Sequence, residues 1–340
     1  MTEDVAEQTH KASTADDVAA LAGVSRWTVN RAFRRDASIS KKSLKKVLEA
    51  AETLGYVPDL SASSLKSGQS NLVALIMDDF ANPHKLLMLE RLTRVLRRNG
   101  WDTLLVNMLD EEDAPRALLN VSQRRVDAAV LIGVDFNDQV LDTARGARRI
   151  RKLVVFARKS EHRNTISICC DDMGAMATMA DYVIGKGYRK PLFIAGPEAR
   201  SARLLRKEGF CNKWFETFRE TPSSISIPAY DPLSSCDHVA DFLKSLSEGA
   251  LPDILVCEND ALAMGAIDAA RYRVGLRVPE DMAVVGFDDV PQAASLNYRL
   301  TTYSQPITAM ADGLVEILQD DQKLDRYDSF KGHIVIRDSA

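Results

Sequence analysis

The sequence predicts an all-α helix-turn-helix head joined to an α/β body of two doubly wound lobes. Three observations carry that expectation. The first is a charge split within a chain of 340 residues whose formal net charge is −4. Between Gly23 and Gly68 stand nine basic residues (Arg26, Arg31, Arg34, Arg35, Lys41, Lys42, Lys45, Lys46 and Lys66) against Asp36, Glu49, Glu52 and Asp59. That stretch is +5, which leaves −9 for the remainder. The second is a set of three short helical patterns confined to residues 14–54. The third is a change of period: from Leu72 onward, short apolar runs alternate with helical ones, as in parallel sheets covered on both faces.

In the head, Thr14 is placed to cap a helix that shares Val18, Ala19 and Ala22 on one face, with Asp16 and Asp17 in its first turn. Gly23 breaks it. Ser25 is the next N-cap, opening a helix through Thr28, Val29, Ala32 and Phe33. Helix, a turn starting at glycine, and a short second helix make helix-turn-helix grammar. A third helix runs from about Lys41 to Leu54, with Leu44, Val47, Leu48 and Ala51 turned inward. In such a unit the second helix enters the major groove and its first residues meet base edges. Here those are Arg26, Trp27, Asn30 and Arg31. Arginine suits guanine, and asparagine suits adenine or phosphate. The alternative is an ordinary three-helix bundle with solvated side chains.

The body reads as strands at 72–77, 102–106, 127–133 and 152–156, then 166–170, 191–196, 253–257 and 282–287. Helical stretches at Pro83–Arg98, Glu112–Arg124, Met173–Gly185, Arg203–Arg219 and Asp260–Arg271 separate them. Two sheets of this type facing each other form a cleft at the carboxyl ends of their strands, where ligands bind. Such a pair hinges closed on its ligand.

Composition sets limits. With 46% hydrophobic and 27% charged residues the chain is neither disordered, collagen-like nor disulfide-dominated. No apolar run nears the roughly 18 residues of a membrane span, and the acidic start at Glu3, Asp4 and Glu7 is no secretory signal. Five cysteines (169, 170, 211, 236 and 257) lack metal-ligand spacing, so reduced thiols in a cytoplasmic protein without metal or cofactor are expected. Catalytic grammar is missing: there is no G-x-S-x-G, H-E-x-x-H or G-x-x-x-x-G-K-[ST]. Gly185-Lys186-Gly187 closes a helix rather than opening one. Ser38-Ile39-Ser40-Lys41 fits S-x-x-K by spelling alone, and the five histidines are scattered. An enzyme is not expected.

The run DDVAALAGVSRWTVNRAF (16–33), followed by ISKKSLKKVLEAAETLGYVPDLSASSLKS (39–67), resembles the DNA-binding head of the lac/galactose repressor (LacI/GalR) family. FIAGPEARSARLLRKEGF (193–210), CENDALAMGA (257–266), VPEDMAVVGFDD (278–289) and LTTYSQP (300–306) resemble that family's effector domain, so the likeness covers nearly all of residues 14–338. The resemblance implies lobes of periplasmic-binding-protein type. It implies a tail at 1–13, a DNA-binding domain at 14–59, a hinge segment at 60–70 and an effector-binding and dimerisation domain at 71–340. Lobe 1 would take about 71–170 and 303–329, and lobe 2 about 171–302 and 330–338. The family pattern adds Thr14, Ser25 and Thr28 to the DNA contacts. It also adds Ala62 and Leu65 of a hinge that turns helical on DNA, Leu65 wedging into the minor groove; the alternative for Leu65 is a plain linker contact. Asp59, Ser63 and Arg34 depart from the pattern, and Trp27 is bulky for a groove-facing position, so a distinct operator is expected.

By the same resemblance Arg206 grips ligand oxygens, Asn259 and Asp288 bind hydroxyls, and Gln305 lines the cleft. For Asn259 and Asp288 the alternative is helix N-capping. Where the family often carries aromatic residues this chain has His84 and Lys85, and Ala157-Arg158 replaces a common Asp-Arg. Lys85, Arg158 and Arg206 would then converge, which points to a sugar acid or sugar phosphate. The alternative reads Lys85 as a surface residue and Arg158 as a lobe bridge. The expected function is a transcriptional repressor of double-stranded operator DNA, controlled by a small carbohydrate-like effector between two lobes. A purine- or nucleoside-responsive regulator, or a solute-binding transport component, are the alternatives. No leucine heptads follow the last strand, so a homodimer is expected, with no membrane partner.

Overall fold

The computed structural model describes residues 13–33, 38–58, 68–78, 80–108, 113–133, 150–163, 165–197, 202–247, 249–320 and 327–340. The chain divides into two compact units, Met1–Ser70 and Asn71–Ala340.

The first unit holds helices α1 (Ala15–Ala22), α2 (Arg26–Ala32) and α3 (Lys41–Leu54). Thr14 and Asp17 close a reciprocal capping box at α1, and Gly23 ends that helix at φ +63°, a left-handed turn that glycine makes without strain. Ser25 and Ser40 cap α2 and α3. Val18, Val29 and Val47, one from each helix, are fully buried in a small shared core. The edge-to-face pair Phe33–Tyr56 (5.8 Å) closes it. The three helices and the caps at Thr14 and Ser25 stand where the sequence places them. Leu48, expected inward, is 46% exposed and Ala50 is buried in its stead, because the buried stripe of α3 runs through Val47, Ala50 and Ala51.

The second unit contains two parallel sheets. Strands β1 (Leu72–Met77), β2 (Asp102–Asn107), β3 (Ala128–Ile132), β4 (Lys152–Phe156) and β6 (Ile166–Cys170) form the first. With β13 (Tyr327–Phe330) they run in the order β13-β6-β4-β3-β1-β2. Strands β7 (Pro191–Ala195), β9 (Ser223–Ser226), β10 (Ile254–Cys257) and β11 (Ala283–Val285) form the second, in the order β11-β10-β7-β9. Alternation explains why these runs are apolar throughout. Val73, Leu75 and Met77 of β1 enter the core on one face, and Ala74 and Ile76 enter the core on the other. In β7, Leu192 and Ile194 oppose Phe193 and Ala195 in the same way.

The helices between these strands are α4 (Pro83–Arg98), α5 (Ala114–Gln123), α6 (Asp172–Gly185), α7 (Arg206–Phe218), α8 (Pro232–Ser245), α9 (Asp260–Asp268) and α10 (Ile307–Gln319). Several boundaries differ from the sequence reading. The helix expected from Arg203 begins at Arg206, because β8 (Ala202–Arg203) pairs with β5 (Lys159–Ser160). The helix expected to Arg271 is α-helical only to Asp268 and continues as a π-helix over Ala269–Val274. The final strand, expected at 333–337, is β14 (His333–Val335), antiparallel to β12 (Thr302–Ser304). None of the five cysteines is in a disulfide, and burial pushes the Cys170 thiol up to about 12. Among the described residues no helix is long and apolar enough to cross a membrane.

Candidate functional site

In the head, the exposed edge of α2 carries the residues expected at DNA. Trp27 is 64% exposed. Arg31, one turn on, lays its guanidinium over the indole at 4.3 Å and donates to the Ser38 carbonyl. This holds a flexible cation in one place before any partner arrives. Arg26 donates to Asp16 at 3.1 Å in a solvated ion pair, a contact weak enough to exchange. Asn30 is exposed. Thr14 and Ser25 serve as caps, accepting from Asp17 N (3.3 Å) and Thr28 N (3.2 Å), and Thr28 Oγ1 lies 3.0 Å from Ser25 Oγ. Ala62 and Leu65 lie outside the described residues, as do Arg34, Asp59, Ser63 and the tail to residue 12.

In the body, parallel strands deliver their carboxyl ends to one cleft. Asp78 follows β1, Arg158 follows β4, Asp172 follows β6, Glu258 and Asn259 follow β10, and Asp288 follows β11. His84 and Lys85 open α4, Arg206 opens α7, and Gln305 follows β12. All seven residues expected to bind effector are buried there: His84, Lys85, Arg158, Arg206, Asn259, Asp288 and Gln305. Backbone strain helps to aim them. Asp288 and Asp289 have φ of +122° and +57°, and Ala157, just before Arg158, +63°. For residues with a Cβ these are costly conformations, of the kind that concentrates at binding sites. Asp288 is held there by its N–H donating to Tyr303 O at 2.8 Å.

Three of the seven form one hydrogen-bonded chain. Gln305 Nε2 donates to Asp288 Oδ1 at 2.7 Å and meets His84 Nε2 at 3.0 Å. Arg206 reaches Asp288 Oδ1 at 3.4 Å, Asp172 Oδ1 at 3.2 Å and the Glu258 carbonyl at 2.8 Å, and lies 3.8 Å over the Phe287 ring. Burial opposes the Arg206 charge, but Asp172, Asp288 and Glu258 outweigh it and hold the guanidinium pKa above its ordinary value. Burial pushes the Asp172 carboxyl up against the pull of Arg206. Asn259 caps α9, its Oδ1 accepting from Leu262 N at 2.9 Å, so the capping alternative describes that oxygen. Asp288 caps no α-helix.

The expected convergence of cations is present, with a qualification that the sequence did not reveal. Lys85 is no surface residue: it is buried and paired with Asp78. Gly133 makes room for that pair, since a Cβ there would fall on the Asp78 carboxylate. Arg158 stands 5.7 Å over the Tyr230 ring, and the Tyr230 hydroxyl donates to Glu258 Oε2 at 2.8 Å. Asp78, Asp172, Glu258 and Tyr230 were thus missed. For Asp78 and Glu258 the available signal was an acidic residue directly after an apolar strand. The space between these side chains is about 40 Å³, enough for about three waters.

His84 gives the cleft a pH dependence. Burial lowers its pKa below 6.5; Asp288 pulls the other way, and Arg206 and Lys85 add to the lowering. An unfolded chain takes up this proton near pH 6.5 and the folded one resists. The stability contributed by neutral His84 is therefore complete above about pH 6.5 and is lost as pH falls through the folded value. Thermal melts from pH 7.5 to 5.5 should show a flatter curve for His84→Gln than for the parent. Parallel curves would show that His84 is not the titrating group.

Comparison with known proteins agrees with this architecture. Residues 70–325 match the family described as periplasmic binding proteins and sugar binding domain of LacI family. Residues 14–59 match bacterial regulatory proteins, lacI family. The sucrose operon repressor of Escherichia coli is 29% identical over 282 residues, 81% of this chain and 83% of that protein. A transcriptional repressor PurR of Haemophilus influenzae is 28% identical over 309 residues, 90% of each chain. Among solved structures, a lac repressor dimer bound to operator and the anti-inducer ONPF superposes with a TM-score of 0.82 at 24% identity, covering 97% of this chain and 99% of that one. A CelR–cellobiose complex gives 0.70 at 23% identity, over 96% and 100%.

Proposed function

The chain belongs to the LacI family of bacterial regulatory proteins, and from that premise we propose that it is a dimeric repressor whose grip on operator DNA is set by a small effector closing the body cleft. It is a DNA-binding regulator and not an enzyme. The single observation that carries the effector reading is the convergence of seven buried polar and charged residues, from strand ends and helix starts far apart in the chain, on one cleft. A monomeric core has little use for so many buried polar groups, whose desolvation costs free energy. The sucrose operon repressor among its relatives supports a carbohydrate-like effector.

Mechanism follows from differential binding. An effector that prefers one lobe arrangement shifts the population toward it by no more than its difference in affinity for the two states. Two heads on a two-fold dimer read a near-palindromic site whose half-sites are set by that axis. On this reading Trp27, Asn30 and Arg31 meet bases, with Arg26 joining once it leaves Asp16, and Leu65 enters the minor groove at the hinge.

The test is selection of bound sequences from a randomised DNA pool with the full-length protein. Enrichment of a two-fold symmetric site, whose affinity a small molecule changes, is the expected result. Binding that stays independent of sequence would overturn the reading.

A further inference from the structure

Trp27 is 64% exposed on the first turn of α2. Arg31 lies over its ring at 4.3 Å and is fixed in turn by donating to the Ser38 carbonyl. Residues four apart share one helix face, and the face behind them is anchored by Val29, fully buried in the core of the head. Trp27 and Arg31 therefore project from the head as one stacked pair. Arg26 beside them is tied to Asp16 at 3.1 Å. Arg31 has no carboxylate partner among the described residues. A guanidinium has five N–H donors, so the bond to Ser38 leaves a fork free for a ligand.

The two members of the pair ask for different chemistry. On base edges in the major groove the fork matches guanine O6 and N7, and the one apolar group is the thymine methyl. The indole can also donate one hydrogen bond, from Nε1–H. Acceptors for a lone donor stand on adenine, guanine and thymine alike, so that bond selects little. The methyl is what an indole can tell apart. Spacing then decides where it lies. Stacked bases follow one another at about 3.4 Å, and the guanidinium and the ring are 4.3 Å apart. A pair stacked at that distance addresses two neighbouring base pairs at once.

We propose that Trp27 is a specificity-determining residue that reads the C5 methyl of a thymine in the base pair next to the guanine held by Arg31. This rests on the DNA-binding reading above, and it makes the contact depend on a methyl group and not on the hydrogen bonds of thymine. 5-Methylcytosine at the same place presents the same methyl, so the protein prefers it to cytosine there.

The test uses the full-length protein and the two-fold symmetric site obtained by selection. Each thymine is replaced in turn by uracil, which removes the methyl and keeps every hydrogen bond. At one position per half-site the parent should lose about fourfold in affinity, the worth of one buried methyl-sized group, and about 15-fold with both half-sites changed. 5-Methylcytosine there should bind tighter than cytosine by a similar factor. That position should adjoin the G·C pair whose replacement Arg31→Ala no longer senses. Trp27→Ala, folded by its melting temperature, should not distinguish thymine from uracil, and Trp27→Phe, which keeps an apolar ring, should. Indifference of the parent to every uracil overturns the proposal and leaves DNA recognition intact. So does a methyl effect that Trp27→Ala retains in full, or one that lies away from the Arg31 base pair. Absence of any sequence-specific binding overturns the reading of the head itself, and with it the proposal.

Discussion

Arg206→Ala is expected to lower the melting temperature of the body by about 10 °C and to abolish the response of operator binding to effector. Arg206 is 4% exposed and faces Asp172 and Asp288, with Phe287 beneath it. Removing one partner of a buried ion pair costs about 3–5 kcal/mol, because the other charge remains without compensation. In a domain of this size each kcal/mol is roughly 2–4 °C. The pH dependence has a definite sign. Burial already raises the Asp172 pKa, and loss of Arg206 removes the main force opposing that rise. A carboxyl raised in the folded state favours folding at low pH and disfavours it as pH climbs. The deficit of the variant should therefore be larger at pH 7.5 than at pH 5. Melts of parent and variant across that range decide the matter. A deficit that does not change with pH would mean that the lost contacts are packing and not charge.

Arg31→Ala is expected to weaken specific operator binding about 5- to 150-fold, the effect of losing a base contact worth about 1–3 kcal/mol. Its guanidinium is held in advance by the Trp27 ring and the Ser38 carbonyl, so little rotamer entropy is lost on binding. Loss of a base contact relaxes specificity at one position. Loss of a phosphate contact weakens all sequences alike and lowers the salt slope by about one. Affinity measured for operator and non-operator DNA at several salt concentrations separates the two. Trp27→Ala should reproduce part of the loss by releasing Arg31. An unchanged operator affinity in Arg31→Ala would remove this residue from the interface.

Much of the fold is legible along the chain because its signals are local. Thr14, Ser25 and Ser40 cap their helices through neighbours no more than three residues away. Every residue of β3, β4 and β7 is buried, as apolar runs require, the exception in kind being Lys152, whose Nζ donates to the Ile317 and Leu318 carbonyls. The strand at Ser223–Ser226 escapes such reading because it is a polar edge strand paired on one side. Helices α8 and α10 were likewise left unassigned.

The cleft divides differently. Local sequence and family likeness together located His84, Lys85, Arg158, Arg206, Asn259, Asp288 and Gln305, since each stands at the end of a strand or the start of a helix. What they do to one another was beyond the sequence. His84 and Gln305 are 221 residues apart in the chain and 3.0 Å apart in space. The sequence by itself determined the elements, the two sheets and the places where polar side chains would gather, because caps and periodicity act within a few residues. Only the tertiary structure decided which carboxylate neutralises which cation. Pairing falls off over a few ångströms, and a buried charge is governed by neighbours that folding brings from far along the chain.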